Sequence, residues 1–139
     1  MEKNYDELKR WFDDSPYARK LGMRIMELSE GYVKIQVQAS TEYNNWEGRT
    51  HGGFIMSLAD HAFGTAFNTL DRIYVALQFN ANFLSAPKED ETLTAEGRVL
   101  HAGKRAGMAE MIVRGADGRT IATATGTVIS LGERANGLL

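Results

Sequence analysis

The chain has no cysteine, which excludes a disulfide framework, thiol catalysis and a cysteine-held zinc ion. It also lacks any block of five basic residues. Its 16 Lys and Arg against 18 Asp and Glu leave a formal charge of −2, a balance that argues against general nucleic-acid binding. No apolar run approaches the length of a membrane span, and the opening Met1-Glu2-Lys3-Asn4-Tyr5-Asp6-Glu7 lacks the hydrophobic region of a secretory signal. The expectation is a cytoplasmic protein that binds neither nucleic acid nor membrane. Internal repeats, linkers and low-complexity tracts are missing as well. His51, His61 and His101 do not have metal-ligand spacing. Asp60 and His61, adjacent on a helix, would point about 100° apart. No metal site is expected.

What is present suits a single domain over residues 1–139, since 139 residues at 43% hydrophobic are enough for one core and too few for two typical ones. Tyr5, Leu8, Trp11 and Phe12 have helical spacing. Asp13-Asp14-Ser15-Pro16 ends that segment and starts a second short turn, so residues 1–22 form a helical cap. Arg24 to Leu28 and Tyr32 to Ala39 form a hairpin about Ser29-Glu30-Gly31. From His51 to about Leu70, apolar residues recur at intervals of three and four with little charge between them, the pattern of a helix surrounded on most sides. Four strands follow: Ile73 to Leu84, Glu91 to His101, Arg105 to Gly115 and Arg119 to Leu131. Ala102-Gly103-Lys104 and Ala116-Asp117-Gly118 are the turn signals between the later ones. Strands before and after one long helix favour an α+β fold, an antiparallel sheet curled around that central helix. Gly132 to Leu139 is expected to be a flexible tail.

The central helix carries one anomaly, Asp60. Such a helix is expected to bury Asp60, and a buried carboxylate either serves a function with a perturbed pKa or is satisfied by a neighbouring hydroxyl, amide or His61. At the helix entrance, Gly52 and Gly53 offer N–H groups that lack intrahelical acceptors, at the positive end of the macrodipole. This is either an ordinary loop-to-helix turn or an oxyanion hole. Gly52 and Asp60 are eight residues apart, roughly 12 Å along the axis, so the two cannot reach one carbonyl within a chain. A catalytic reading therefore requires a symmetric dimer, with each site built from the Gly52 of one subunit and the Asp60 of the other.

The pattern Asn45-x-x-Gly48-x-x-His51-Gly52-Gly53, then Leu58-Ala59-Asp60, resembles the hot dog-fold acyl-CoA thioesterases of the PaaI (phenylacetic acid degradation) type. Further likeness lies in Ser15-Pro16-Tyr17-Ala18, Leu21-Gly22-Met23 and the strand with Asn80, Phe83, Leu84 and Pro87. The resemblance implies hydrolysis of a hydrophobic acyl- or aryl-CoA thioester to acid and coenzyme A. It implies Asp60 as nucleophile or general base, the Gly52 N–H as carbonyl donor, and Asn45 orienting thioester or water. It implies His51 as support for the helix start more than as an acid-base group. Coenzyme A is part of the substrate, and no separate cofactor is expected. Dimers pairing into a homotetramer are usual in the family. Relatives commonly carry a hydroxyl before the Asn80 position, where this chain has Ala76, which brings Gln78 or Asn80 into consideration as substrate-binding groups beside Gly53. Lys104 and Arg105 either meet the coenzyme A phosphates or form a solvated hairpin tip. Trp46, Tyr43 and Phe54 are candidates for an acyl pocket. Two other readings stay open: a hot dog enoyl-CoA hydratase or dehydratase, and a non-catalytic acyl-CoA binding module.

Overall fold

The structure, a computed structural model, describes residues 2–134. Two short helices come first, α1 (Tyr5–Asp13) and α2 (Pro16–Leu21), followed by β1 (Arg24–Ser29) and β2 (Tyr32–Gln38). After a single 3-10 turn at Thr41–Tyr43 come the central helix α3 (Gly52–Phe67) and four strands: β3 (Arg72–Phe83), β4 (Thr92–Ala102), β5 (Ala106–Arg114) and β6 (Thr120–Glu133). The six strands form one antiparallel sheet in the order β1-β2-β4-β5-β6-β3. The sheet curls around α3, the arrangement expected from the order of apolar periods.

The alternation written in each strand decides which face meets the helix. In β2, Val33, Ile35 and Val37 are buried while Tyr32, Lys34 and Gln36 lie on the wetter face. On α3, Phe54, Ile55, Leu58, Ala59, Ala62, Phe63, Ala66 and Phe67 are buried, and removing a side chain such as Phe63 from water contributes about 1.5–3 kcal/mol. Phe63 packs edge-on against Phe67 and Phe79, tying the helix to β3. Gly97 of β4 lets the sheet approach the helix backbone: a Cβ there would lie 2.7 Å from the Ala62 carbonyl oxygen.

Local chemistry sets the element ends. The Asn4 side chain accepts from the Glu7 N–H to start α1, Pro16 opens α2, and Gly22 at φ 80° closes it. Asp13 then accepts from the Ile25 N–H at 2.8 Å, which fastens the N-terminal cap to β1. At the far rim Glu91, buried, receives the Arg119 guanidinium at 2.9 Å and the N–H groups of Lys88 and Ala116. Burial raises its pKa, but these donors outweigh it and hold the carboxyl below the usual range. The expected tail is corrected in part. Gly132 and Glu133 pair with Ile73 and Arg72 as the last residues of β6, and Arg134 bonds the Asn68 side chain. The rest of that tail lies outside the described residues.

Candidate active site

The loop into α3 is held by its own asparagines. Asn45 Oδ1 accepts from the N–H groups of Glu47 and Arg49, Asn44 Nδ2 donates to the Gly48 carbonyl, and Gly48 adopts φ 76°. His51 is the N-cap, with its Nδ1 accepting from the Gly53 N–H at 2.8 Å. An acceptor at Nδ1 puts the ring proton on Nε2. Glycine at 53 gives the imidazole room, since a Cβ would stand 3.1 Å from His51 Nδ1 and the ring would have to shift by a few tenths of an ångström. The Phe54 N–H is taken by the His51 carbonyl. Of the first three helical amides, only that of Gly52 has no acceptor among the described residues. One free N–H therefore remains at the positive end of the helix, where an oxyanion would be stabilised.

Two turns further along, Asp60 opens into a cleft of about 500 Å³ lined by Tyr17, Gly53, Met56, Ser57 and Phe79. Among the described residues, no hydroxyl, amide or cation of this chain bonds its carboxylate. Partial desolvation of the carboxylate against the cleft wall raises its pKa above the usual aspartate value, although the residue as a whole stays exposed. The expectation that α3 buries Asp60 is corrected: in the single chain Gly53, Met56 and Asp60 are exposed, because no element of this chain covers that flank. The neighbouring His61 points elsewhere. Its Nε2 is buried without a partner among the described residues, and burial lowers its pKa.

The other candidates fall in different places. Asn45 sits in the entrance loop with Oδ1 committed there, as described above. Asn80 pairs with Thr125 on the face of β3 opposite Phe79, so within one chain it points away from the Asp60 cleft. Lys104 and Arg105 belong to the β4–β5 turn at the C-terminal end of α3. There Arg72 donates to the Lys104 carbonyl, Tyr74 donates to that of Gly103, and Phe67 abuts Gly107. They stand about 22 Å along the helix from Gly52. Their side chains do not meet Asp60 within one chain. Tyr43 stacks on Phe54 with centroids 4.6 Å apart, and both line a recess beside the helix start, whereas Trp46 is 88% exposed. The structure adds Tyr17 and Ser57, whose hydroxyl oxygens are 2.7 Å apart on the cleft wall. Ser57, three residues before Asp60, was the visible signal. Tyr17 comes from α2, and nothing local in the sequence places it over α3.

Comparison with known proteins agrees with this fold. The Thioesterase superfamily model matches residues 47–122, which span the helix, β3, β4, β5 and the start of β6. A putative esterase of Archaeoglobus fulgidus is 34% identical over 113 residues, 81% of this chain and 73% of that protein. The structure of the Escherichia coli PaaI protein from the phenylacetic acid degradation operon superposes with a TM-score of 0.87 at 27% identity, covering 93% of this chain and 94% of that one. A hypothetical thioesterase of Streptococcus pneumoniae solved with coenzyme A gives a TM-score of 0.78 at 28% identity, covering 81% and 88%. That streptococcal protein is also known with alanine replacing an aspartate and, sixteen positions later, a threonine.

A curled six-stranded antiparallel sheet around one long central helix is the hot dog fold. The chain belongs to the thioesterase superfamily, in its PaaI-type hot dog branch.

Proposed function

We propose that the protein is an acyl-CoA thioesterase that hydrolyses a hydrophobic acyl- or aryl-CoA thioester to the free acid and coenzyme A. The observation that carries this reading is the Asp60 carboxylate, unpartnered within its chain, in a cleft of mixed polar and apolar lining, on a helix whose first amide is free. Asp60 either removes a proton from water as that oxygen bonds to the carbonyl carbon, or itself attacks to give an anhydride that water then opens. In both routes the Gly52 N–H holds the oxyanion, the carbon–sulfur bond breaks, and the departing thiolate takes up a proton. Water is the only co-reactant this chemistry needs. His51 acts by capping the helix, and Asn45 by fixing the loop. Asn45 Nδ2, which bonds nothing among the described residues, is available to substrate. Lys104 and Arg105 are placed to meet coenzyme A phosphates only if a partner subunit brings its cleft to them.

The same reading requires two chains per site, because the axial separation of Gly52 and Asp60 forbids a common target within one. The exposed flank of α3 and the edge strand β3, with Val75, Leu77 and Phe83 exposed on it and Leu84 exposed just beyond its end, support a homodimer formed along that side. Leu100, Met108, Ile129 and Leu131 leave the outer sheet face partly apolar, which supports pairing of dimers into a tetramer. The streptococcal mutants bear on the chemistry, since their sixteen-residue spacing is that from Asp60 to Ala76. On that spacing an alanine takes the place of that relative's hydroxyl, which would leave water to be held by other groups. The reading is tested by thiol release over acyl chain lengths, aromatic acyl groups and acyl-carrier thioesters, with wild type beside Asp60→Ala. Release by the wild type and its loss in the variant are expected. Equal turnover by both would remove Asp60 from the chemistry, and no turnover on any thioester would overturn the activity.

A further inference from the structure

Two cavities flank one tyrosine. The Asp60 cleft, about 500 Å³, and a recess of about 250 Å³ beside the helix start share three lining residues: Tyr17, Gly53 and Ser57. The recess continues past them to Leu21, Tyr43 and Phe54, with Tyr43 and Phe54 stacked as an apolar floor beneath a rim of Glu42, Asn44 and His51. Ser57 Oγ donates to the Gly53 carbonyl at 2.8 Å, so its single proton is spent, and the 2.7 Å contact with Tyr17 must be donated by the phenol. The ring of Tyr17 is thereby latched across the line from Asp60 through Ser57 to Gly53, one stripe of α3. The latch is anchored at both ends. Tyr17 stands on α2, which Pro16 opens and Gly22 closes, and Ser57 stands on the rigid central helix.

We propose that Tyr17 is a specificity-determining wall, which ends the acyl channel at Ser57 and closes off the recess. This rests on the reading of Asp60 as the group at the reacting carbonyl. From Ser57 to Gly53 the stripe runs about 6 Å, the length of roughly four methylenes. Removing the ring joins the two cavities and admits a chain longer by about that much. Removing only the hydroxyl leaves the ring in the way.

The test uses coenzyme A S-alkyl thioethers, which cannot be hydrolysed, with chains of four to sixteen carbons, titrated calorimetrically into wild type, Tyr17→Ala, Tyr17→Leu and Tyr17→Phe. Thiol release from the matching thioesters is measured in parallel. The expected result is that the longest chain bound within tenfold of the best one moves about four carbons longer in Tyr17→Ala. Tyr17→Leu lies between, and Tyr17→Phe keeps the wild-type limit. Tyr17 is 59% exposed, so these changes spare the core. Should Tyr17→Ala fail to fold, the Leu and Phe variants still separate wall from no wall. An unchanged limit in folded Tyr17→Ala or Tyr17→Leu overturns the proposal, as does a wild type whose affinity ignores chain length. A chain-length limit that shifts as expected in a protein with no turnover would sustain the wall and refute the hydrolase reading separately.

Discussion

Replacing His51 by alanine separates two roles that a histidine beside an active site can have. In the structure its Nδ1 accepts from the Gly53 N–H at 2.8 Å and caps α3. Losing such a cap costs about 1 kcal/mol, within a range of about 0.5–2. For a chain of 139 residues that corresponds to a fall in unfolding temperature of about 3–5 °C. Catalysis suffers only through the loosened helix start, which aims the Gly52 amide, and hydrolysis is expected to fall by less than about tenfold. His51→Asn offers an amide oxygen as cap and should recover most of both losses, because asparagine is among the best N-cap residues. Thermal unfolding by circular dichroism and thiol release below both transitions give the two numbers. A histidine that moved protons would behave differently, costing about 10²–10⁴ in rate in both variants. Normal unfolding temperatures with rates down a hundredfold in Ala and Asn alike would refute the capping argument.

Other expectations follow from the same geometry. Asp60→Asn should reduce hydrolysis by about 10² or more without lowering the unfolding temperature at neutral pH. The folded-state pKa of Asp60 is raised, so its stabilising contribution belongs to the protonated form and is lost as pH rises through that value; a stability loss in Asp60→Asn would contradict the desolvation argument. The acid limb of kcat/KM should lie above the pH at which an ordinary aspartate titrates, since only the carboxylate reacts; a pH profile flat down to that point would contradict it. Gly97→Ala, which drives a Cβ against the Ala62 carbonyl, should cost about 1–3 kcal/mol in denaturant unfolding, and an unchanged midpoint would show that the sheet gives way freely.

Much of the fold was legible because its signals are periodic. The three-and-four spacing from His51 to Leu70 became α3 at Gly52–Phe67, and the run Ile73 to Leu84 became β3 at Arg72–Phe83. Ala116-Asp117-Gly118 became the β5–β6 turn. The site was less legible. An apolar helix looks the same whether its last flank is covered by its own sheet or left open, which is why Asp60 was expected to be buried and is exposed. Asn80 could have been assigned from parity alone. Phe79 and Phe83 share one face of β3, and every residue between them in even register belongs to the other. Lys104 and Arg105 were placed correctly in a turn, but which end of α3 that turn occupies depends on the strand order, and local pattern does not encode it. Tyr17 and Ser57 meet across forty residues, as do Glu91 and Arg119 across twenty-eight, and no spacing rule brings such pairs together.

The claim beneath the mechanism is that each reactive centre draws on two chains, and complementation measures it. Gly52→Pro deletes the free N–H at a position suited to proline. It is the first helical residue, His51 before it is already extended at φ −64° and ψ 135°, and a Cβ comes no closer than 3.4 Å to Phe83. Asp60→Ala and Gly52→Pro proteins should each be nearly inactive. Unfolded together and refolded at equal amounts, they should recover about one quarter of wild-type thiol release, because half the dimers are mixed and each mixed dimer holds one intact site. Activity of the mixture no greater than that of either variant alone, with mixed dimers verified by mass, would contradict the shared site.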